Sequence, residues 1–226
     1  KGFEKQFIIG MNSGLNQKKI DAVISEWNEL KLKTWQKEKG LDNSLILLSS
    51  SRLDPKNKFQ LIINALPIII KEFPEAIWCI IGRGVEEEDL KKLVVEKNLE
   101  KNVRFVGEIY DEMELAPWFL SAQLLIHPAA IGLSLLHAYG YGLPVITHGN
   151  RALQNPEYAA FENGKTGLNY KEDNIEDLAL VTISLLKKKV TRDEMKVNTI
   201  KIARENYNAD VMTERFIEIV NKAASN

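Results

Sequence analysis

Ala76-Ile77-Trp78-Cys79-Ile80-Ile81-Gly82-Arg83-Gly84 is the stretch whose reading settles the class of fold. A strand with one wet face alternates apolar and polar residues. Ile77 to Ile81 does not, and an unbroken apolar run of this kind suits a strand covered by helices on both sides. Parallel strands are covered in that way, because each crossover lays a helix on a face of the sheet. Cys79, the only cysteine, lies inside the run, so the chain forms no internal disulfide and fits a reducing, cytoplasmic setting.

The same pattern recurs on either side. Strands are expected at Leu45 to Ser50, Ala76 to Gly82, Val103 to Gly107, Leu124 to His127, Val145 to His148 and Gly167 to Tyr170. Between them Phe59 to Phe73, Glu86 to Lys97, Asp111 to Ser121 and Gly132 to Tyr141 read as helices. Three more follow the last strand, at Ile175 to Lys188, Arg192 to Glu205 and Ala209 to Ala223. This alternation predicts an α/β fold, a Rossmann-like parallel sheet of about six strands with helices on both faces. Pro67 predicts a kink or a break in the first helix. The charged, amphipathic stretch Gln17 to Lys39 reads as an appendage, a linker or a partner-facing helix. The expected division is therefore residues 1–43 as an N-terminal helical or inter-domain segment and residues 44–226 as the Rossmann-like domain.

With 226 residues, 45% hydrophobic and 27% charged, the composition is that of a globular protein and excludes disorder, collagen-like repeats and mini-protein scaffolds. Thirty Lys+Arg against 31 Asp+Glu leave a net charge of −1, so no overall basic field draws nucleic acid or anionic lipid, and any phosphate site must be local. The apolar run Leu61 to Ile70 is broken by Asn64 and Pro67 and falls short of the roughly 20 residues that span a bilayer. No secretory signal pattern is present, and the start at Lys1-Gly2-Phe3 without Met suggests a piece of something longer.

In an open parallel sheet, ligands bind beyond the carboxyl ends of the strands. After the first strand comes Ser51-Arg52-Leu53-Asp54-Pro55-Lys56-Asn57-Lys58, whose cations can hold a diphosphate or can form an ordinary solvated loop. Gly82-Arg83-Gly84 permits close backbone approach but lacks the third glycine of the dinucleotide fingerprint, and Glu86 to Asp89 are macrodipole partners of the next helix. The sharpest turn is His127-Pro128-Ala129-Ala130-Ile131-Gly132-Leu133-Ser134: a strand end, a small-residue loop, then a helix that is apolar all round. Its free N–H groups and dipole suit phosphate oxygens. His137 on that helix needs a hydrogen-bond partner, in the commoner case a backbone carbonyl, in the other a ligand. Asp-x-Asp, metal-ligand spacings and a Gly-x-Ser-x-Gly elbow are all absent.

Taken in order, Ser51-Arg52-Leu53, Ile81-Gly82-Arg83-Gly84, Val103 to Gly107, Gly132 to Leu136 with Gly142-Leu143-Pro144-Val145-Ile146, Pro156-Glu157 and Asn163 to Leu168 resemble the nucleotide-sugar-dependent glycosyltransferases of the GT-B fold, specifically the retaining group 1, or family 4. The likeness runs from about Leu45 to the C-terminus and covers the donor-binding half of that architecture. It implies that Arg52, and with less direct correspondence Lys58, neutralise the donor diphosphate. Gly132, Leu133 and Ser134 would bind it through the backbone, and the Val103 to Gly107 region, with Arg104 and Phe105, would line the base pocket, largely through backbone contacts. Gly82, Gly84 and Glu157 complete the implied donor site. The family's Glu-x7-Glu signature falls on Ala129 and His137, so both carboxylates are missing: the first normally faces the transferred sugar, the second the ribose hydroxyls. An imidazole at His137 can still hydrogen-bond a hydroxyl or a phosphate oxygen.

The resemblance implies transfer of a sugar from a nucleoside diphosphate donor to a hydroxyl acceptor with retention, in cell-surface polysaccharide or glycoconjugate synthesis. No metal and no cofactor beyond the donor nucleotide sugar is expected. The expected partners are the donor, a saccharide or lipid-linked saccharide acceptor and an N-terminal domain, with no nucleic acid, in the cytoplasm or at the inner membrane face. Other readings stay open: a nucleotide-sugar-binding domain without turnover, and a GT-B relative such as a sugar-nucleotide epimerase or a non-enzymatic Rossmann-like module that has lost its ligand.

Overall fold

A computed structural model describes residues 15–224. Six strands, β1 (Leu45–Ser50), β2 (Ala76–Ile81), β3 (Val103–Gly107), β4 (Ala122–Ile126), β5 (Val145–His148) and β6 (Gly167–Tyr170), form one sheet in the order β3-β2-β1-β4-β5-β6. Every pairing is parallel, and β1 lies on β2 in register from Leu45↔Ala76 to Ser50↔Ile81. The order reverses between β1 and β4, and the turns leaving those two strands flank the crevice that such a reversal creates.

Both faces of the sheet are dry, as the unbroken apolar runs predict. Successive side chains alternate sides: Ile46, Leu48, Cys79, Ile81 and Leu125 enter one core, while Leu47, Trp78, Ile80, Leu124 and Ile126 enter the other. The crossovers carry α3 (Gln60–Glu72), α4 (Glu87–Glu96), α5 (Glu112–Ser121) and α6 (Leu133–Gly140), and α7 (Ile175–Lys187), α8 (Lys189–Glu205) and α9 (Ala209–Ala224) close the chain. α3 runs on through Pro67 without a break. Its buried side, Ile62, Ile63, Leu66 and Ile69, is fixed in the second core, so tertiary packing offsets the hydrogen bond that proline removes.

The stretch Gln17 to Lys39 forms two helices, α1 (Gln17–Ser25) and α2 (Glu29–Glu38). Each begins at an asparagine whose side chain accepts from the third residue on: Asn16 from Lys19 N–H at 3.0 Å, Asn28 from Lys31 N–H at 2.9 Å. α1 does not stand off as an appendage. Ile20 and Val23 are buried in the first core, and Gln17 Nε2 donates to the carbonyl of Gly140 at the end of α6, at 3.1 Å. α2 has no buried residue but sets Trp35 edge-on against Trp118 of α5, with centroids 4.8 Å apart. Among the described residues, no helix is long and apolar enough to cross a membrane.

Candidate functional site

Two cavities open at the carboxyl end of β1 and share Ser50. One, of about 190 Å³, is bounded by Ser51 and Arg52 after β1, Gly82 and Arg83 after β2, and Glu108 to Tyr110 after β3. The other, of about 440 Å³, lies on the α6 side and is walled by Leu133, Ser134 and His137, by Glu112 of α5, and by Asn16 and Lys19 of α1. They adjoin at Ser50 on the two sides of the switch point and are called the cleft below.

The floor of the first cavity explains its glycines. The turns after β1 and β2 run side by side as an extension of the parallel ladder, with Ser51 N–H on the Ile81 carbonyl at 3.0 Å and Leu53 N–H on that of Arg83 at 2.9 Å. A Cβ on Gly82 would lie 2.0 Å from the Ser51 carbonyl oxygen, and one on Gly84 2.0 Å from that of Leu53. Gly82 also sits at φ +139°, so backbone packing alone requires both glycines.

Arg52 projects from this turn exposed, and among the described residues its guanidinium has no ion pair. Asn57, nine-tenths buried, holds the turn by donating to the Arg52 carbonyl at 2.7 Å and to Ser51 Oγ at 3.1 Å. Lys58 is placed otherwise than the resemblance implies. It lines neither cavity of the cleft, and its ammonium reaches across to the turn after β6, where Asp173 takes it at 2.7 and 2.8 Å and Glu172 lies 3.8 Å away. Lys58 and Asp173 both have positive φ.

The loop between β4 and α6 is fixed from three directions. Tyr170 O–H donates to the Pro128 carbonyl at 2.5 Å, Thr147 Oγ1 to that of Ala129 at 3.2 Å, and Asn155 Nδ2 to that of Ala130 at 3.0 Å. Gln154 Oε1 accepts from Ile131 N–H at 2.8 Å. His127 is buried beneath the loop, with Nδ1 3.3 Å from the Ala129 carbonyl oxygen. Desolvation drives its pKa down to about 4. At the end of this loop Gly132 caps α6 without a side-chain bond, leaving first-turn N–H groups to the cleft. A Cβ on Gly132 would meet only Asn155 Nδ2 at 3.4 Å and a Glu157 carboxylate oxygen at 4.0 Å, which places Glu157 against this helix start.

Arg104 and Phe105 line neither cavity, and their side chains are engaged elsewhere. The Arg104 guanidinium donates to the Lys39 carbonyl at the end of α2, and Phe105 packs into the second core with Lys91 Nζ 5.8 Å from its ring centre. The residues that reach the cleft from β3 are the next three, Glu108, Ile109 and Tyr110. Trp118 stands apart with Trp27 and Trp35 in a groove of about 580 Å³ between α2 and α5. Ala129 is buried and presents nothing to the cleft. His137 bonds neither a backbone carbonyl nor solvent alone: its Nε2 lies 2.9 Å from Glu112 Oε1. Sequence reasoning passed over Glu112, because an acid in the first turn of a helix is indistinguishable from a macrodipole partner. Among the described residues, no group of three His, Cys, Asp or Glu is placed to hold a metal ion.

Residues 31–205 match the sequence profile of the family described as glycosyl transferases group 1. A poly(glycerol-phosphate) alpha-glucosyltransferase of Bacillus subtilis is 31% identical over 156 residues, covering 64% of this chain and 22% of that protein. The curated relatives are longer, and the chain spans between 22% and 48% of the length of the first three. Among solved structures, Anabaena HepE in complex with UDP superposes with a TM-score of 0.75 at 18% identity over 87% of this chain and 54% of that one. The C-terminal domain of a group 1 glycosyl transferase from Francisella tularensis gives 0.68 at 18% identity, over 83% of this chain and 98% of that domain.

Proposed function

The chain belongs to the group 1 glycosyl transferases, as the C-terminal domain of a GT-B fold, and on that premise we propose that its cleft binds a nucleoside diphosphate sugar for transfer to a hydroxyl acceptor. The observation that carries this reading is the placing of Arg52, which has no ion pair among the described residues, and of the start of α6, which has no side-chain cap, on adjoining cavities at the switch point. Net charge is near zero, so these local donors supply the attraction for a diphosphate. The shared edge at Ser50 lets one ligand extend from the smaller cavity, toward Glu108 to Tyr110, into the larger one beside α6. A base at one end and a sugar at the other, with the diphosphate between, fits that course.

In transfer, the bond from the anomeric carbon to the diphosphate oxygen breaks and its electron pair stays on the phosphate. The acceptor oxygen bonds the same carbon, with retention, and its proton passes to the departing phosphate or to solvent. Arg52 and the N–H groups of Leu133 and Ser134 face the charge as it develops, a fixed arrangement that needs no reorganisation at the moment of reaction. Lys58, tied to Asp173, acts at most from outside the cleft. The acceptor belongs to the whole protein; a cell-surface polymer or glycoconjugate is the class we favour, since one relative's name specifies poly(glycerol-phosphate). Because the chain spans at most about half of those relatives, donor binding is the activity assigned to these residues, and turnover requires the other half of the GT-B architecture.

Calorimetric titration with uridine, guanosine and adenosine diphosphates and their sugars tests the reading. One of them should bind, and Arg52→Ala should weaken it about tenfold or more, the span for a charge-assisted hydrogen bond. Unchanged affinity in that variant would remove Arg52 from the site. The donor reading carries no metal ion, so EDTA should leave the affinity as it was.

A further inference from the structure

Two polar side chains of the larger cavity's wall, Glu112 of α5 and His137 of α6, join Tyr141, the residue just past the end of α6, in a unit that no motif marks. Glu112 Oε1 of α5 accepts the Tyr141 hydroxyl at 2.5 Å and lies 2.9 Å from His137 Nε2 of α6. Phe119 backs both rings, with centroids 4.8 Å from His137 and 5.1 Å from Tyr141, and the two rings meet edge to face at 5.5 Å. Burial works against an ionised Glu112, but the hydrogen bonds from His137 and Tyr141 outweigh it and hold the carboxyl below its usual range. The group is therefore a carboxylate at neutral pH in a fixed orientation.

Both protein partners use Oε1. Oε2 has no protein partner among the described residues, although Glu112 is only 17% exposed and lines the cavity. A place at the start of α5 would explain why an acid is tolerated there. It does not explain two side chains spent on aiming one carboxylate into a cavity. The neighbouring cavity wall carries Lys19, whose charge also favours the Glu112 carboxylate. With Lys19 beside it, the site disfavours a cationic ligand, which leaves neutral donors for Oε2, and under the donor-binding reading those that a nucleoside diphosphate sugar offers beside a diphosphate are chiefly hydroxyls.

We infer that Glu112, aimed by His137 and Tyr141, is the hydroxyl-reading residue of this cleft and selects ligands that present a pair of neutral hydroxyls beside α6. This rests on the donor-binding reading above. Under it such hydroxyls have two sources, the ribose and the transferred sugar, and Oε2 serves either by the same chemistry.

The test is calorimetry on the full chain, using the nucleoside diphosphate that binds most tightly, its 2′,3′-dideoxy form and its glucose conjugate. In the unaltered protein, removing the ribose hydroxyls should cost about tenfold or more in affinity, or adding the sugar should gain as much. Glu112→Ala should lose that discrimination, leaving intact and dideoxy ligands bound alike, or diphosphate and conjugate alike, and the ligand pair that becomes equivalent identifies the source. Glu112→Gln, which keeps the shape, should reduce the discrimination in the same direction, and Tyr141→Phe should do so by releasing the carboxylate; these carry the test if the alanine variant fails to fold. If the variants discriminate as the unaltered protein does while the diphosphate still binds, this inference is overturned and the donor reading stands. If no diphosphate binds the unaltered protein, both fall.

Discussion

Single residues separate by where their charge is spent. Arg52 has no ion pair among the described residues, whereas Lys58 is held by Asp173 in a pair whose side chains are 34% and 54% exposed. An exposed pair of this sort contributes about 0–1 kcal/mol. Lys58→Ala should therefore lower the melting temperature slightly and leave nucleoside diphosphate affinity within about threefold, in contrast to Arg52→Ala; a tenfold loss would return Lys58 to the diphosphate. Stepwise acidification should find a second residue, His127. Its folded pKa of about 4 lies below the unfolded value of about 6.5, because burial disfavours the imidazolium. The unfolded chain then binds the extra proton between those values, so the contribution of neutral His127 is complete above about pH 6.5 and is lost as pH falls toward 4. The full loss is on the order of 3 kcal/mol. Chemical denaturation at pH 7 and pH 5 should show the drop, and His127→Asn should flatten the curve apart from the smaller share of His148, whose pKa burial also lowers.

At the scale of elements, the turns after β1 and β2 act as one piece. Since a Cβ at position 82 meets a backbone oxygen at 2.0 Å and the φ there is positive, neither loop can yield cheaply. Gly82→Ala should destabilise the fold by more than about 2 kcal/mol in urea titration and disturb Arg52 with it. A change below about 0.5 kcal/mol would mean that the loops separate easily. The element order was legible in the sequence: the strands and crossover helices lie where periodicity and turn residues place them, shifted by a residue or two at their ends. The exceptions have physical causes. β4 begins at Ala122 rather than Leu124 because α5 runs into it without a turn, and the stretch before β1 divides where Asn28 caps a new helix. In the candidate site, Gly132 to Ser134 and Arg52 were legible as a helix start and a strand-end cation. Glu112 was not, since its meaning depends on a helix entering through another crossover.

At the scale of the whole molecule, the two cores make Cys79 a reporter of global opening. It is fully buried on the interior strand β2, and desolvation pushes its thiol up to about 12. A thiol reagent at pH 8 should leave the native protein unmodified and react at the rate set by unfolding, and a ligand of the cleft should slow that reaction by raising the stability of the folded state. Rapid modification without unfolding would mean that the sheet opens locally beside the site.

The amino-acid sequence by itself determined the parallel sheet, because runs without alternation can be buried on two faces only under crossover helices, and it determined the strand-end turns where a ligand must lie. Only the tertiary structure decided which charges those turns offer. Lys58 looks equivalent to Arg52 along the chain, yet Asp173, from the turn after β6, neutralises it. His137 stands on an apolar helix with no visible partner in sequence, yet α5 delivers Glu112 to it across 25 residues of chain. Local periodicity fixes where backbone goes, since each residue's environment repeats with its element. The pairing of charges depends on which elements meet, and that is settled only when the sheet closes its order.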